Sequence, residues 1–170
     1  MEMLPEFLDI YSAFVPVDIQ TAQTGDWVSM KGFDSCTILF FKGAGTGGDD
    51  PTLTLAQATV VAGSDTKALT FTTLYTKTAV GATLATMSSS TVKATWTKVT
   101  QTAAATYTDS TSAEVQAIWA IPIAASMLDT ANNFCCLNVS SSDVGSNAQI
   151  GCGLYLMHKS RYSEVSAIVD

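Results

Sequence analysis

Short apolar runs separated by turn-forming residues are the feature that most constrains how this chain can fold. The clearest set lies in the segment 113–161 and comprises the runs 115–123, 133–139 and 148–157. Each run has the length of a strand and falls well short of the ~20 apolar residues that a membrane-spanning helix needs. The pattern therefore predicts a soluble all-β domain.

The third run shows the strand pattern most clearly, because its alternate residues are apolar. These residues are Ile150, Cys152, Leu154 and Leu156. A spacing of two places them on one face of a strand, which we expect to face the core. Gly151, Gly153 and Tyr155 take the opposite face, where the glycines leave room for a close neighbour. The turn formers at 140–147 predict a hairpin that joins the second and third runs.

The rest of the chain extends this pattern over one domain. The continuous apolar run 36–41 predicts a central strand, and 124–129 predicts a single helical turn. Roughly eight to ten short strands, with no alternating helices, predict a β-sandwich or jelly roll over residues 15–170. A length of 170 residues suits one such domain. The predicted core residues are Ile38, Phe40, Leu55, Phe71, Trp119, Ile121, Leu137, Ile150, Leu154 and Leu156.

Residues 1–14 are predicted to form an amino-terminal arm. Its apolar residues follow the i, i+3, i+4, i+7 spacing of one helical face, with one more residue beyond it. They are Leu4, Phe7, Leu8, Tyr11 and Phe14. A helix this short is not stable alone in water, so the arm either packs on its own domain or docks on a neighbouring chain. We expect these five residues to form a protein interface.

Composition and charge exclude several classes of function. The net charge is −7 and Arg161 is the only arginine, so no basic stripe exists to bind nucleic acid. The acidic amino terminus lacks the basic region of a secretory signal, which favours folding in a reducing cytoplasm. The four cysteines form no metal-binding motif. Cys135 and Cys136 are adjacent, so on a strand they are expected to face opposite sides and not to share a metal.

Motifs for catalysis or cofactor binding are weak throughout. Residues 43–48 satisfy G-x-G-x-x-G, but Asp49 and Asp50 follow and the next segment alternates as a strand. Because the fingerprint needs a helix amino terminus to hold phosphate, we expect no nucleotide there. The two carboxylates also fall short of a calcium ligand set. His158 is the only histidine and is expected to be a surface residue. We therefore expect no enzyme activity, no catalytic residue, no cofactor and no metal.

Two groups of segments carry a resemblance to a known class of protein. One is 26–34, which leads into an apolar strand and a glycine-rich loop; the other is 123–129, 134–139 and 154–156, closing near Arg161 and Tyr162. Together they resemble the capsid decoration or cement proteins of tailed bacteriophages. The resemblance implies a jelly-roll module that binds the major capsid protein by shape, as a homotrimer on the virion surface, after synthesis in the bacterial cytoplasm. It implies no nucleic-acid or membrane partner.

Other functions remain open on the sequence. A carbohydrate- or receptor-binding module of a tail fibre or adhesin is the main alternative, because Trp27, Trp96 and Trp119 have the side chains that stack on sugars. On apolar strand faces, such tryptophans more often belong to the core. A hydrolase is the third reading, since a carboxylate pair can be assembled in space without a sequence motif.

Overall fold

The computed structural model describes residues 8–79, 84 and 94–160 of the chain, and these residues form an all-β domain. The predicted fold class is therefore confirmed. The strands are β1 (Leu8–Asp18), β2 (Gln23–Thr24), β3 (Val28–Ser29), β4 (Phe33–Lys42), β5 (Thr52–Ala58), β6 (Lys67–Ala68), β7 (Phe71–Thr78), β8 (Thr97–Ala104), β9 (Thr106–Thr108), β10 (Ala117–Ala124), β11 (Cys136–Ser141) and β12 (Ile150–Ser160). Short 3-10 turns at Ala125–Met127 and Thr130–Asn132 lie between β10 and β11, and the first of them matches the predicted helical turn.

The strands divide into two antiparallel sheets. Sheet A has the order β1-β12-β4-β10-β7-β8, and sheet B has the order β2-β11-β5-β6, with β3 also paired to β11 and β9 to β5. Strand β4 lies inside sheet A between β12 and β10, as its continuous apolar run predicts. Most neighbours in sheet A are distant in sequence, so the sandwich is held mainly by long-range pairing.

The core lies between the two sheets. Phe40 and Trp119 from sheet A meet with ring centroids 5.2 Å apart, and Tyr107 of β9 lies edge-on to Trp119 at 5.0 Å. Sheet B contributes Leu55 and Val139 to the same cluster. The predicted core residues that are buried are Ile38, Phe40, Leu55, Phe71, Trp119, Ile121 and Leu137.

The predicted orientation of β12 is wrong. Tyr155 and Met157 are fully buried, whereas Ile150 is 56% exposed and Leu154 and Leu156 are partly exposed. Apolar residues do alternate along β12, but both faces of the strand are apolar. The alternation therefore does not indicate which face points to the core. The inward glycines leave space for side chains from the core. A Cβ added at Gly153 would lie 2.9 Å from Cε1 of Phe14.

The predicted hairpin at 140–147 is also wrong, because β11 belongs to sheet B and β12 to sheet A. The connection instead crosses one end of the sandwich. The Val144 amide donates a hydrogen bond to the Ile19 carbonyl at 3.2 Å, and the Ser142 amide donates to the Thr52 carbonyl at 2.8 Å. The loop 43–50 likewise passes from β4 in sheet A to β5 in sheet B. Turn-forming residues mark a change of direction but do not determine which strands pair.

The predicted amino-terminal helix is wrong for residues 8–14. This segment is part of β1, which continues to Asp18 and pairs with β12 in a register that sets Ile10 against Leu156. A short isolated helix gains little in water, whereas an edge strand satisfies its backbone groups against a neighbouring strand. Leu4 and Phe7 lie outside the described residues.

Candidate interaction surface

One face of sheet A points away from the core and is apolar across five strands. We call it the outer A face and define it by the outward or exposed apolar residues of β1, β12, β4, β10 and β7. They are Ile10, Val15, Ile150, Cys152, Leu154, Leu156, Leu39, Phe41, Ile118, Ala120, Pro122 and Tyr75. The strand register places Leu154 beside Leu39, Leu39 beside Ala120, and Ala120 beside Tyr75. The surface is therefore continuous.

Several side chains of the outer A face are strongly exposed. Val15 is 66% exposed, Ile150 56% and Ile10 44%. No outward position of β12, β4 or β10 carries an acidic side chain, although the whole chain has a net charge of −7. Toward one end of the face, Thr37 Oγ1 is 3.0 Å from His158 Nε2; toward the other end, Lys77 pairs with Ile118 and Asp18 with Ile150. An apolar patch of this extent on a water-exposed sheet is typical of an interaction site.

A shallow hollow of about 260 Å³ opens at one end of the outer A face. Its lining residues are Pro16, Phe41, Gly43, Gln116, Ile150, Gly151 and Cys152. The lining is mainly apolar.

Beneath this end of the face, Lys42 anchors the loop that precedes β10. Its side chain is fully buried, and Nζ donates hydrogen bonds to the carbonyl oxygens of Ser112, Ala113 (3.3 Å) and Val115 (3.0 Å). Burial lowers the pKa of Lys42 to about 8, an effect opposed by Asp109 and Asp50. The ammonium group thus provides donors to three carbonyls, of which Ser112 and Ala113 also accept from the backbone amides of Val115 and Gly45. This arrangement supports the loop before β10.

Gln149 extends the same anchoring network. Its amide nitrogen lies 3.1 Å from the Gly43 carbonyl and 3.3 Å from the Ala113 carbonyl, and Gly45 donates its backbone N–H to that Ala113 oxygen at 2.8 Å. The glycine-rich loop is therefore tied to the segment before β10. It leads into strand β5 rather than into a helix, as the sequence predicts.

The β1 edge of sheet A is poorly suited to pairing with another strand. The edge strand β1 has register shifts between Ser12 and Phe14 and between Phe14 and Val17. It also contains Pro16, which has no backbone N–H to donate. Bulges and proline are common devices that prevent another strand from adding to an edge. At this edge, the bulges and Pro16 therefore disfavour extension of the sheet by another strand.

Three of the residues predicted to form the arm interface, Leu8, Tyr11 and Phe14, lie in β1 and differ in exposure. Leu8 and Phe14 are buried in this chain, while Tyr11 is 43% exposed and donates its hydroxyl to Asp9 Oδ2 at 2.7 Å. That hydrogen bond to the carboxylate raises the pKa of Tyr11. Sequence reasoning missed the neighbouring Ile10 and Val15. The sequence feature that could have identified them is a strand with apolar residues on both faces.

The three tryptophans differ in their exposure to solvent. Trp119 is fully buried, and Trp27 is partly buried beside Gly63. Trp96 is 48% exposed, and Lys77 Nζ lies 6.0 Å from the centre of its ring. Of these rings, Trp96 is the one most available to a ligand.

Thiols and carboxylates form no metal centre in the part of the chain that the structure describes. No group of three or more histidine, cysteine or acidic side chains is placed there to hold a metal ion. All four cysteines are free. The prediction that Cys135 and Cys136 face opposite sides is wrong, because their sulfur atoms are 3.8 Å apart. Cys135 precedes β11 and does not follow the alternation of a regular strand.

Comparisons with known proteins give this surface no precedent. No family model, curated protein or solved structure matches the chain. Among the described residues, no helix has the length and apolar character needed to cross a bilayer.

Proposed function

We propose that this protein is a non-enzymatic structural protein whose copies associate through the outer A face and decorate a larger protein shell. The observation that carries the proposal is the continuous apolar surface across β1, β12, β4, β10 and β7, with no acidic side chain at its centre. A capsid decoration or cement protein that assembles as a homotrimer on the major capsid protein is the specific form that we propose. The sequence resemblance supports that form.

The size of the outer A face suits a protein interface. Five strands at a spacing of about 4.8 Å and about seven residues per strand at a rise of about 3.3 Å cover roughly 500 Å² in projection. The side chains roughen this area, so its accessible surface is larger. Stable interfaces bury about 800 Å² on each partner. Ile150 and Val15 are exposed enough for a partner to remove substantial apolar area from water.

The charge distribution indicates where two copies of this chain would meet at least cost, namely on the outer A face. Two chains that each carry a net charge of −7 repel one another, so their contact is least costly where acidic groups are absent. The centre of the outer A face is such a region. Burying it also avoids the cost of placing unpaired carboxylates in an interface. Other surfaces of the assembled protein then contact the shell.

Light scattering coupled to size exclusion tests the association, and rebinding to shells tests the decoration role. We expect an oligomer whose mass is a whole multiple of 17.9 kDa, with a trimer in the specific form of the proposal. We also expect the oligomer to bind capsids that lack it and to raise their thermal stability. A monomer at all concentrations would contradict the association. An oligomer that leaves capsids unbound would contradict the decoration role alone.

A carbohydrate-binding module is the second candidate, and the exposed ring of Trp96 favours it. A sugar stacked on Trp96 would lie beside Lys77, whose ammonium group is 6.0 Å from the ring centre. Saturable glycan binding that Trp96→Ala abolishes would support this candidate. Binding of the oligomer to capsids, unchanged in Trp96→Ala, would support the structural role instead.

A further inference from the structure

Two thiols lie side by side at the start of β11, and the function proposed above does not use them. Cys135 Sγ and Cys136 Sγ are 3.8 Å apart. Consecutive side chains of a regular strand point to opposite faces, so adjacent cysteines are normally kept apart. Here Cys135 donates its amide to the Ala58 carbonyl at 3.0 Å and accepts from the Met30 amide at 2.8 Å. These bonds hold its backbone just outside β11, and both sulfur atoms lie on the same side.

The two thiols differ in their access to solvent. Cys136 is 2% exposed, whereas Cys135 is partly exposed and lines a surface hollow of about 430 Å³. The hollow is also lined by Met30, Leu128 and Phe134, so part of its wall is apolar and aromatic. A ligand can therefore reach Cys135 from the hollow and place an apolar group against this wall.

The environment favours ligands that leave the sulfur atoms uncharged. Burial, together with the neighbouring Cys135 thiol, raises the pKa of Cys136 to about 11. Cys135 Sγ also lies 3.2 Å from the Thr59 carbonyl oxygen, an acceptor suited to a protonated thiol. A site of this kind is poorly matched to ions that require two thiolates. It suits a reagent that exchanges both S–H protons for covalent bonds to sulfur.

We propose that Cys135 and Cys136 form a dithiol site for trivalent organoarsenic compounds. An arsenoxide, R–As=O, reacts with the two thiols to form two As–S bonds. Both S–H bonds and the As=O bond are lost, and one water molecule leaves with the two protons and the oxygen. No electron is transferred and the product is uncharged. Trivalent arsenic is thiophilic, and two sulfurs in contact close a ring with little rearrangement.

The probe is phenylarsine oxide, added to the folded full-length chain under reducing conditions with a monothiol present. We expect one adduct per chain by intact mass spectrometry, retained against excess monothiol and removed by a small dithiol. The melting temperature should rise with probe concentration, because binding to the native state stabilises it. No adduct, or a melting temperature that falls with probe concentration, would overturn the proposal.

Matched variants locate the site. Cys135→Ser should lose the monothiol-resistant adduct, while the double variant Cys36→Ser/Cys152→Ser should retain it because both its remaining thiols are those of the pair. Cys135 is partly exposed, so its serine variant is expected to fold, and circular dichroism checks this. An equally stable adduct on folded Cys135→Ser would overturn the assignment. Loss of the adduct in a folded Cys36→Ser/Cys152→Ser protein would overturn it as well.

Discussion

The outward faces of the two sheets differ in chemistry although their backbones are alike. The outer A face presents Leu39, Leu154 and Ile150, whereas the outward residues of sheet B are mainly hydroxylic. We call the latter the outer B face and define it as Thr24, Thr52, Thr54, Thr106, Thr108 and Ser140. The hydroxyl oxygens of Thr52 and Thr108 form a hydrogen bond across strands at 2.6 Å. An antiparallel sheet in a monomer usually has one face solvated, as sheet B does.

The difference indicates that only sheet A has two faces suited to burial. In sheet B, β-branched threonines keep the strand propensity high while their hydroxyls remain hydrated. In sheet A, the outward side chains would leave apolar area in water unless another molecule covered it. The contrast is therefore the physical basis for assigning assembly to sheet A, and for expecting outer B substitutions to be tolerated.

The largest expected effect comes from removing the support beneath the outer A face. Lys42→Met roughly keeps the length of the side chain but removes the ammonium donor from the carbonyls of Ser112, Ala113 and Val115. We expect a loss of about 2–4 kcal/mol in the free energy of unfolding, measured by chemical denaturation. Amide hydrogen exchange should quicken more in β12 than in β5. Equal exchange in both sheets, or an unchanged stability, would contradict this role for Lys42.

Lys42 also predicts a pH dependence. Burial lowers its pKa from 10.5 to about 8 in the folded protein. The unfolded chain therefore binds more protons than the native state between these values, so stability should rise as pH increases above about 8. The expected gain is roughly 1–3 kcal/mol by pH 9.5, and denaturation of Lys42→Met should lack it. A wild-type stability that falls over this range would contradict the lowered pKa.

The hydroxyl group of Tyr155 links the two sheets through hydrogen bonds. The Tyr155 hydroxyl of sheet A donates to the Asp26 carbonyl at 2.8 Å and accepts from the Val139 amide of sheet B at 3.0 Å. Tyr155→Phe should cost about 1–2 kcal/mol of unfolding free energy, because the buried Val139 amide and the partly buried Asp26 carbonyl both lose a hydrogen bond. A change below about 0.3 kcal/mol would mean that the link contributes nothing.

The smallest effect is expected from truncations on the two outer faces. At concentrations where the chain is dissociated, Leu154→Ala should cost less than about 1.5 kcal/mol, since the side chain is only partly buried. Thr54→Ala should change stability by less than about 0.5 kcal/mol. A cost of about 3–5 kcal/mol for Leu154→Ala would be the signature of a core leucine and would reverse the orientation of β12.

The sequence was informative about which segments form strands and about the burial of several large side chains. It correctly predicted the all-β class, the central position of β4 and the buried residues Phe40, Trp119 and Leu137. Each lies in a run whose strand character is clear and whose side chain is large. Burial of such residues follows from the hydrophobic effect with little dependence on topology.

Sequence reasoning failed where two arrangements satisfy the same pattern. In β12, apolar residues occupy both faces, and only the space taken by Phe14 and Ile19 decides that the glycines point inward. At residues 8–14, helical spacing and strand pairing competed, and pairing with β12 prevailed. The proximity of Cys135 and Cys136 depends on where β11 begins. Such outcomes are set by tertiary contacts that periodicity does not encode.

The most direct test of the outer A face is the association of two variants that each add one carboxylate. Leu154→Asp places it at the centre of the outer A face, and Thr54→Asp places it on the outer B face, so both change the net charge equally. Circular dichroism confirms folding, and sedimentation equilibrium measures the association constant. We predict that Leu154→Asp weakens association at least ~100-fold, because burying an unpaired carboxylate is costly, and that Thr54→Asp stays within about threefold of wild type. Equal weakening by the two variants, or a wild-type chain that never associates, would contradict the account.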